Sequence, residues 1–449
     1  MASSGCKVVL NINDLPTELL HSIFTYLSLY GQLQTSMQVC HRWKAIAEDV
    51  LKGREELFSC RLRENRLSFN TAGCPYISIP ARSDHACCIH GKHLYIFGGF
   101  KNEGQAYNDL WKVDLIFREV ERVQTTSKER GPSPRGYAFL LPYDANSLIL
   151  CGGIVETKTP FAPTMYQRAA DEVFKFDIKS NTWTLFKTNQ GTSNQPENAI
   201  YDCCIVGRYL FACYKKKEEG QLCCQIQVIN LSHSSNVACI PAETFRVPEM
   251  KLFSLDDFHL LVIANHLTKR ECSAYLLDIR GFEEGTSLKW RDLEILNNDK
   301  CLPNPCQACK VGDHIVVFYP KEGTLLINAQ QRVFAAKNYS RSPTAHKHCP
   351  HCTQAVHASW KGRCIFKDCD RLGTALQTAV MDVSCAVTSG VIKWVNSHIE
   401  FSGSTYFSRG QTHFRPFHAI SGMAQVVILG WKPCPQKDCK HPCSIDVLR

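Results

Sequence analysis

A chain of 449 residues with 44% hydrophobic and 21% charged residues has enough apolar content to bury a large core. No apolar run approaches the roughly 18 residues that a membrane helix needs, and the start, MASSGCKVVLNIND, lacks the apolar core of a secretory signal. The net charge of +9, from 51 basic and 42 acidic residues, is mild and spread along the chain. With no recognised nucleic-acid fold beside it, this charge argues against a nucleic-acid partner, and the expectation is a cytoplasmic or nuclear protein.

The stretch DLPTELLHSIFTYL (14–27) reads as an amphipathic helix. Asp14 is a plausible N-cap, Pro16 fits the first turn, and Glu18 suits the positive end of the helix dipole. Leu19, Leu20, Ile23, Phe24 and Leu27 share one stripe at helical spacing. Gly31 marks a break, and a second helical stretch follows over 33–51. So few residues cannot bury this apolar surface alone, which predicts either a cap packed on the next domain or a partner-binding module.

Leu15-Pro16, Glu18-Leu19-Leu20, Ile23-Phe24, Leu27, Val39-Cys40 and Trp43 together resemble an F-box, within boundaries of 8–54. F-box modules bind the adaptor Skp1, and through it a cullin. The resemblance implies that Leu15, Pro16, Leu19, Leu20, Ile23 and Phe24 contact the adaptor. Val39, Cys40 and Trp43 would complete the same apolar unit, with internal helix packing as the other reading.

After residue 80 a pattern recurs: a β-rich strand, a turn, a hydrophobic strand ending near a glycine pair, then a strand ending in aspartate. The clearest copies are HACCIHGKHLYIFGG (85–99) with NDLWKVDL (108–115), and AFLLPYDANSLILCGG (138–153) with DEVFKFDI (171–178). Second strands end near residues 98, 152, 212, 264 and 319, at spacings of 54, 60, 52 and 55. Third strands end near Asp114, Asp177, Asn230, Asp278 and Asp382, and fourth strands carry Trp183, Trp290 and Trp394. A period near fifty residues built from four short strands signals a kelch-type β-propeller. The expected fold is therefore mainly β with a small α module: N-terminal F-box helices and a six-bladed propeller.

Residues 55–80 read as a linker with a propeller-closing strand, NRLSFNTA (65–72) being the donor for the last blade. Blades 1 to 5 begin within 81–336, a Cys/His-rich insertion occupies 337–374, and 375–449 ends blade 5 and forms blade 6. A seventh blade using VHASWKGRCIFKDC (356–369) is the alternative. This architecture resembles F-box/kelch-repeat proteins, in particular the F-box only protein 42 family, from which the short insertion and cysteine-rich tail depart. The resemblance implies a non-catalytic receptor subunit that holds a protein substrate on the propeller.

Cys349, Cys352, Cys364 and Cys369 have spacing that suits a tetrahedral zinc ion. An ordinary loop in a cysteine-rich chain is the competing reading. The odd total of 25 cysteines, many within apolar strands, predicts free thiols. No nucleophile elbow, P-loop or dinucleotide fingerprint occurs. Substrate-binding expectations fall on the loops 100–107, 154–170, 214–221 and 266–271, and on Arg82 and Arg135, which begin blades 1 and 2. For these two arginines, packing against a neighbouring blade is the equal alternative.

Overall fold

The computed structural model describes residues 11–27, 32–64 and 69–70, most of 79–320 apart from loop segments, the strand pair 347–348 and 355–356, residues 376–395, and strands at 417–422, 425–431 and 443–448. Three helices come first: α1 (Thr17–Thr25), α2 (Gln32–Ser36) and α3 (His41–Arg63). The second helical stretch is therefore two helices, and α3 runs well into the expected linker. Asp14 sits in a 3-10 turn rather than at the cap, and Pro16 occupies the N-cap position without a side-chain hydrogen bond.

Six four-stranded antiparallel blades follow. Blade 1 comprises Ala86–His90, His93–Phe97, Leu110–Asp114 and Val120–Val123. Blade 2 comprises Phe139–Asp144, Ser147–Cys151, Glu172–Asp177 and Thr182–Thr188, with Thr126–Ser127 added parallel at its outer edge. Blade 3 comprises Ile200–Val206, Tyr209–Glu218, Gln221–Asn230 and Ile240–Phe245. Blade 4 comprises Glu249–Ser254, His259–His266, Glu271–Asp278 and Trp290–Leu296. Blade 5 comprises Gln307–Val311, His314–Pro320, Leu376–Asp382 and Val391–Val395, and its outer strand pairs parallel with that of blade 4.

Blade 6 takes Phe417–Gly422, Gln425–Trp431 and Cys443–Leu448 from the C-terminus and Phe69–Asn70 from the segment after α3. Phe69 lies opposite Leu448 and Asn70 opposite Val447. First strands of blades 5 and 6, and of blades 6 and 1, touch, so the ring closes without a further blade between them. Residues 357–369 of the seventh-blade alternative lie outside the described residues. His314–Pro320 pairs directly with Leu376–Asp382, which makes 321–375 an excursion between two strands of blade 5.

Local chemistry explains the recurring aspartate. In blades 1 to 5 the first residue of the second strand faces the last residue of the third: His93 with Asp114, Ser147 with Asp177, Tyr209 with Asn230, His259 with Asp278, and His314 with Asp382. Asp177, Asn230, Asp278 and Asp382 each accept a backbone N–H two or three residues on, at 2.7 to 3.0 Å. The side chain thereby starts the turn into the fourth strand. The glycine pairs answer a different need. Gly98 has φ +63, and a Cβ there would sit 2.5 Å from the Arg135 carbonyl oxygen of the next blade's entry.

The second strand of blade 2, Ser147–Cys151, is buried along its whole length, because neighbouring blades cover both faces. Trp183 and Trp394 are among the largest fully buried side chains and lie in outer strands. The cysteines among the described residues are free thiols, most of them buried. Two expected loops are shorter than their sequence suggested. Strands Tyr209–Glu218 and Gln221–Asn230 absorb most of 214–221, and 154–170 contains a hairpin of Ile154–Thr157 with Tyr166–Ala169.

Candidate functional site

The helical module sorts the apolar residues of α1 onto two adjacent faces. Leu20 and Phe24 are fully buried with Leu33, Ile46, Ala47 and Val50, and Leu15, Leu27, Met37, Trp43 and Leu51 pack around them. Leu19 is 53% exposed, Ile23 42% and Tyr26 89%, at spacings of four and three that align them along the outside of the helix. Val39, 56% exposed, lies in the turn between α2 and α3; Pro16 and Cys40 are exposed as well.

Two arginines of α3 hold this face in place. Arg42 donates to the carbonyl oxygens of Asn13 (2.7 Å) and Leu15 (2.6 Å), and to Thr17 Oγ1 (3.1 Å). Arg54 donates to the carbonyl oxygens of Thr25 (2.6 Å) and Leu27 (2.9 Å) at the other end of α1. Those last-turn carbonyls have no helical donor of their own, so a cation there is favourable. Trp43 stacks edge-on against Phe24 at 5.3 Å and donates from Nε1 to Asn13 Oδ1 at 3.1 Å.

The nine residues expected to meet an adaptor thus divide. Leu19, Ile23, Pro16, Val39 and Cys40 lie on the outside. Leu20 and Phe24 are core residues whose side chains no partner reaches in the folded module, and Trp43 and Leu15 are half-buried supports. Ile12 and Tyr26 are outward apolar residues that the motif alone did not single out. Helical spacing from Leu19 and Ile23 was the available signal for Tyr26.

Burial corrects the expectation for Arg82 and Arg135. Arg82 forms two hydrogen bonds with Asp109 (2.6 and 3.0 Å), donates to the Gly98 carbonyl (2.9 Å) and stacks over Tyr107 at 4.4 Å. Arg135 pairs with Glu172 (2.6 Å) and donates to the Gly152 carbonyl (3.2 Å). Arg130 reaches the same Glu172 from the surface. Both guanidinium groups are enclosed, with a carboxylate and a glycine-pair carbonyl as partners, so they hold the blade together and do not project to a ligand. Burial alone would raise the Asp109 carboxyl. The Arg82 hydrogen bonds and charge, helped by Trp111, overcome this and leave it below the ordinary carboxylate range.

Cys349, Cys352, Cys364 and Cys369 lie outside the described residues. Among the described residues, no group of three or more His, Cys, Asp or Glu is placed to hold a metal ion. No helix among them is long and apolar enough to cross a membrane.

One residue of α3 approaches the propeller. Glu55 of α3 lies within electrostatic range of Lys310 and Asp313, at the first turn of blade 5, and burial raises its carboxyl. Lys310 Nζ in turn donates to the Leu255 carbonyl of blade 4 at 2.6 Å. Turns after first strands and loops after second strands lie at opposite ends of antiparallel strands. The C-terminal ends of the second strands therefore lie on the face away from this contact.

Comparison with known proteins agrees with this division. An F-box-like family model matches residues 12–51, and the KLHDC2/KLHL20/DRC7 Kelch-repeats domain matches residues 53–237. Kelch domain-containing protein 3 of Bos taurus and of Mus musculus are each 26% identical over 149 residues, which is 30% of this chain and 36% of theirs. The chain thus matches little more than a third of the length of those relatives. A solved structure titled "Structure of YjhT" aligns over 83% of this chain and 95% of its own, with 13% identity and a TM-score of 0.42. The chain carries an F-box-like domain followed by kelch repeats.

Proposed function

We propose that this chain is a substrate-recognition subunit of a Skp1–cullin–F-box ubiquitin ligase. The F-box-like helices bind a Skp1-type adaptor, and the propeller holds a protein target. The observation that carries this reading is the outward apolar row Leu19, Ile23 and Tyr26, with Val39, on a module whose own core is already complete. The chain supplies position and effective concentration, while a recruited conjugating enzyme performs ubiquitin transfer. The proximity of Glu55 in α3 to the first turn of blade 5 supports a target on the opposite face of the propeller. The likeness to the F-box only protein 42 family belongs to this reading and rests on the motifs quoted above.

Co-purification with Skp1, wild type beside Leu19→Ala/Ile23→Ala, tests it. A stable complex that the double variant loses supports a ligase receptor. Absence of a wild-type complex would leave a kelch scaffold with a helical cap and overturn the proposal.

A further inference from the structure

Cys151 ends the second strand of blade 2, and Cys203 lies in the first strand of blade 3. Their sulfur atoms are 3.5 Å apart across the seam between the two blades. The blades press together here. A Cβ on Gly152, the next residue, would come within 3.0 Å of the Ile200 side chain. Cys151 and Cys203 belong to one core cluster with Ile149, Val173 and Leu210. Strand alternation turns the adjacent Cys204 to the other side of blade 3, where it packs among Met250, Leu252 and Leu260. Cys203 is thus directed toward Cys151, in a chain where thiols abound.

We propose that Cys151 and Cys203 form a reversible disulfide that locks blade 2 to blade 3 when the protein meets a peroxide. One thiol is oxidised by the peroxide to a sulfenic acid, releasing water. The second thiol attacks that sulfur, the S–S bond forms, and the sulfenic oxygen leaves as a second water. In sum, two thiols and one hydrogen peroxide give one disulfide and two waters. The sulfurs must close by about 1.5 Å to reach the bonded distance of about 2.05 Å. Peroxide is small and uncharged, which suits a seam that excludes larger oxidants. Burial, followed by the neighbouring Cys151, Asp202 and Cys204, pushes the Cys203 thiol well above its ordinary range. The reaction is therefore slower than oxidation of exposed thiols and waits on local opening of the seam. The inference does not depend on the ligase reading.

The test is peptide mapping of the full chain after hydrogen peroxide treatment and alkylation under non-reducing conditions, with and without subdenaturing urea. The expected result is a linked peptide pair containing Cys151 and Cys203, lighter by two hydrogens and separated by dithiothreitol. Cys151→Ser and Cys203→Ser each abolish that pair. Recovery of both cysteines as separately alkylated thiols, in urea as well as without it, after exposed Cys40 and Cys385 have been oxidised, would overturn the proposal. So would linkage of either cysteine to a different partner. The wild-type map decides the matter even if a serine variant folds poorly.

Discussion

Arg82 Nη1 lies 2.6 Å from Asp109 Oδ1, and Nη2 lies 3.0 Å from Oδ2, in a pair that water barely reaches. The two residues stand at the entry to blade 1 and at the start of its third strand. The same guanidinium holds the carbonyl oxygen of Gly98 at the end of the second strand. One side chain therefore ties three strands of a blade at one end. Arg135 repeats the arrangement in blade 2 with Glu172 and Gly152.

Removing one member leaves the other charge enclosed and unsatisfied. Arg82→Met is expected to cost about 3–5 kcal/mol of stability, the range for breaking a buried pair. Arg82→Met combined with Asp109→Leu should recover much of that loss, because no charge is stranded. Urea unfolding of both variants checks this. A single variant within about 0.5 kcal/mol of wild type would mean that the pair is solvated in solution.

The helical module should separate binding from folding. Leu20→Ala is expected to cost about 2–5 kcal/mol, as for other buried leucines, and to weaken adaptor binding only by unfolding the module. Leu19→Ala with Ile23→Ala removes exposed groups, so the thermal midpoint should hardly move while Skp1 capture is lost. Capture and melting curves measured on the same preparations distinguish the two faces. Unimpaired capture by the Leu19/Ile23 variant would exclude this row as the contact.

The apolar periodicity of residues 19–27 was enough to find α1, and the spacing of glycine pairs and aspartates was enough to find the blades. Which side of α1 faces inward was not legible. Leu19 and Leu20 are identical residues whose fates depend on Leu33, Ile46 and Val50, brought in from other helices. Arg82 and Arg135 stayed open between ligand contact and packing for a related reason. An arginine reads as a surface residue until its carboxylate, 27 or 37 residues away, is placed beside it. The loop 214–221 was misread because Lys215, Lys216 and Lys217 interrupt an apolar run, although the backbone pairing continues through them.

Two histidines predict the pH response. Burial, and then the Arg82 charge, push the His85 imidazole down to about 3. Burial, helped first by Lys112, lowers His93 to about 4. In the unfolded chain both titrate near about 6.5. Below that pH the unfolded chain binds protons that the folded chain refuses, so stability rises with pH through this window. Acidification should begin to lower the urea midpoint near pH 6.5 and continue to do so toward pH 3. Asp109, whose carboxyl is also depressed, adds a second loss as pH falls below about 4. His85→Gln should flatten the first part of the curve. An unchanged slope between about pH 6.5 and about pH 4 in that variant would show that other groups set the acid response.

Ring closure depends on residues that precede blade 1. Phe69–Asn70 supplies the outermost strand of blade 6, and α3 ends at Arg63, a few residues earlier. The propeller and the helical module are thus joined through the strand that completes the ring. A chain beginning at residue 53 keeps that strand, whereas one beginning at residue 79 removes it and leaves Cys443–Leu448 as an open edge. Open edges expose unpaired backbone groups and recruit other strands. The shorter chain should therefore unfold at lower urea and associate as concentration rises, while the longer one stays monomeric. Sedimentation velocity with urea melts on both truncations reads this directly. Equal midpoints and equal monomer content would show that two paired residues contribute nothing to closure, and that contact between the first strands of blades 6 and 1 suffices.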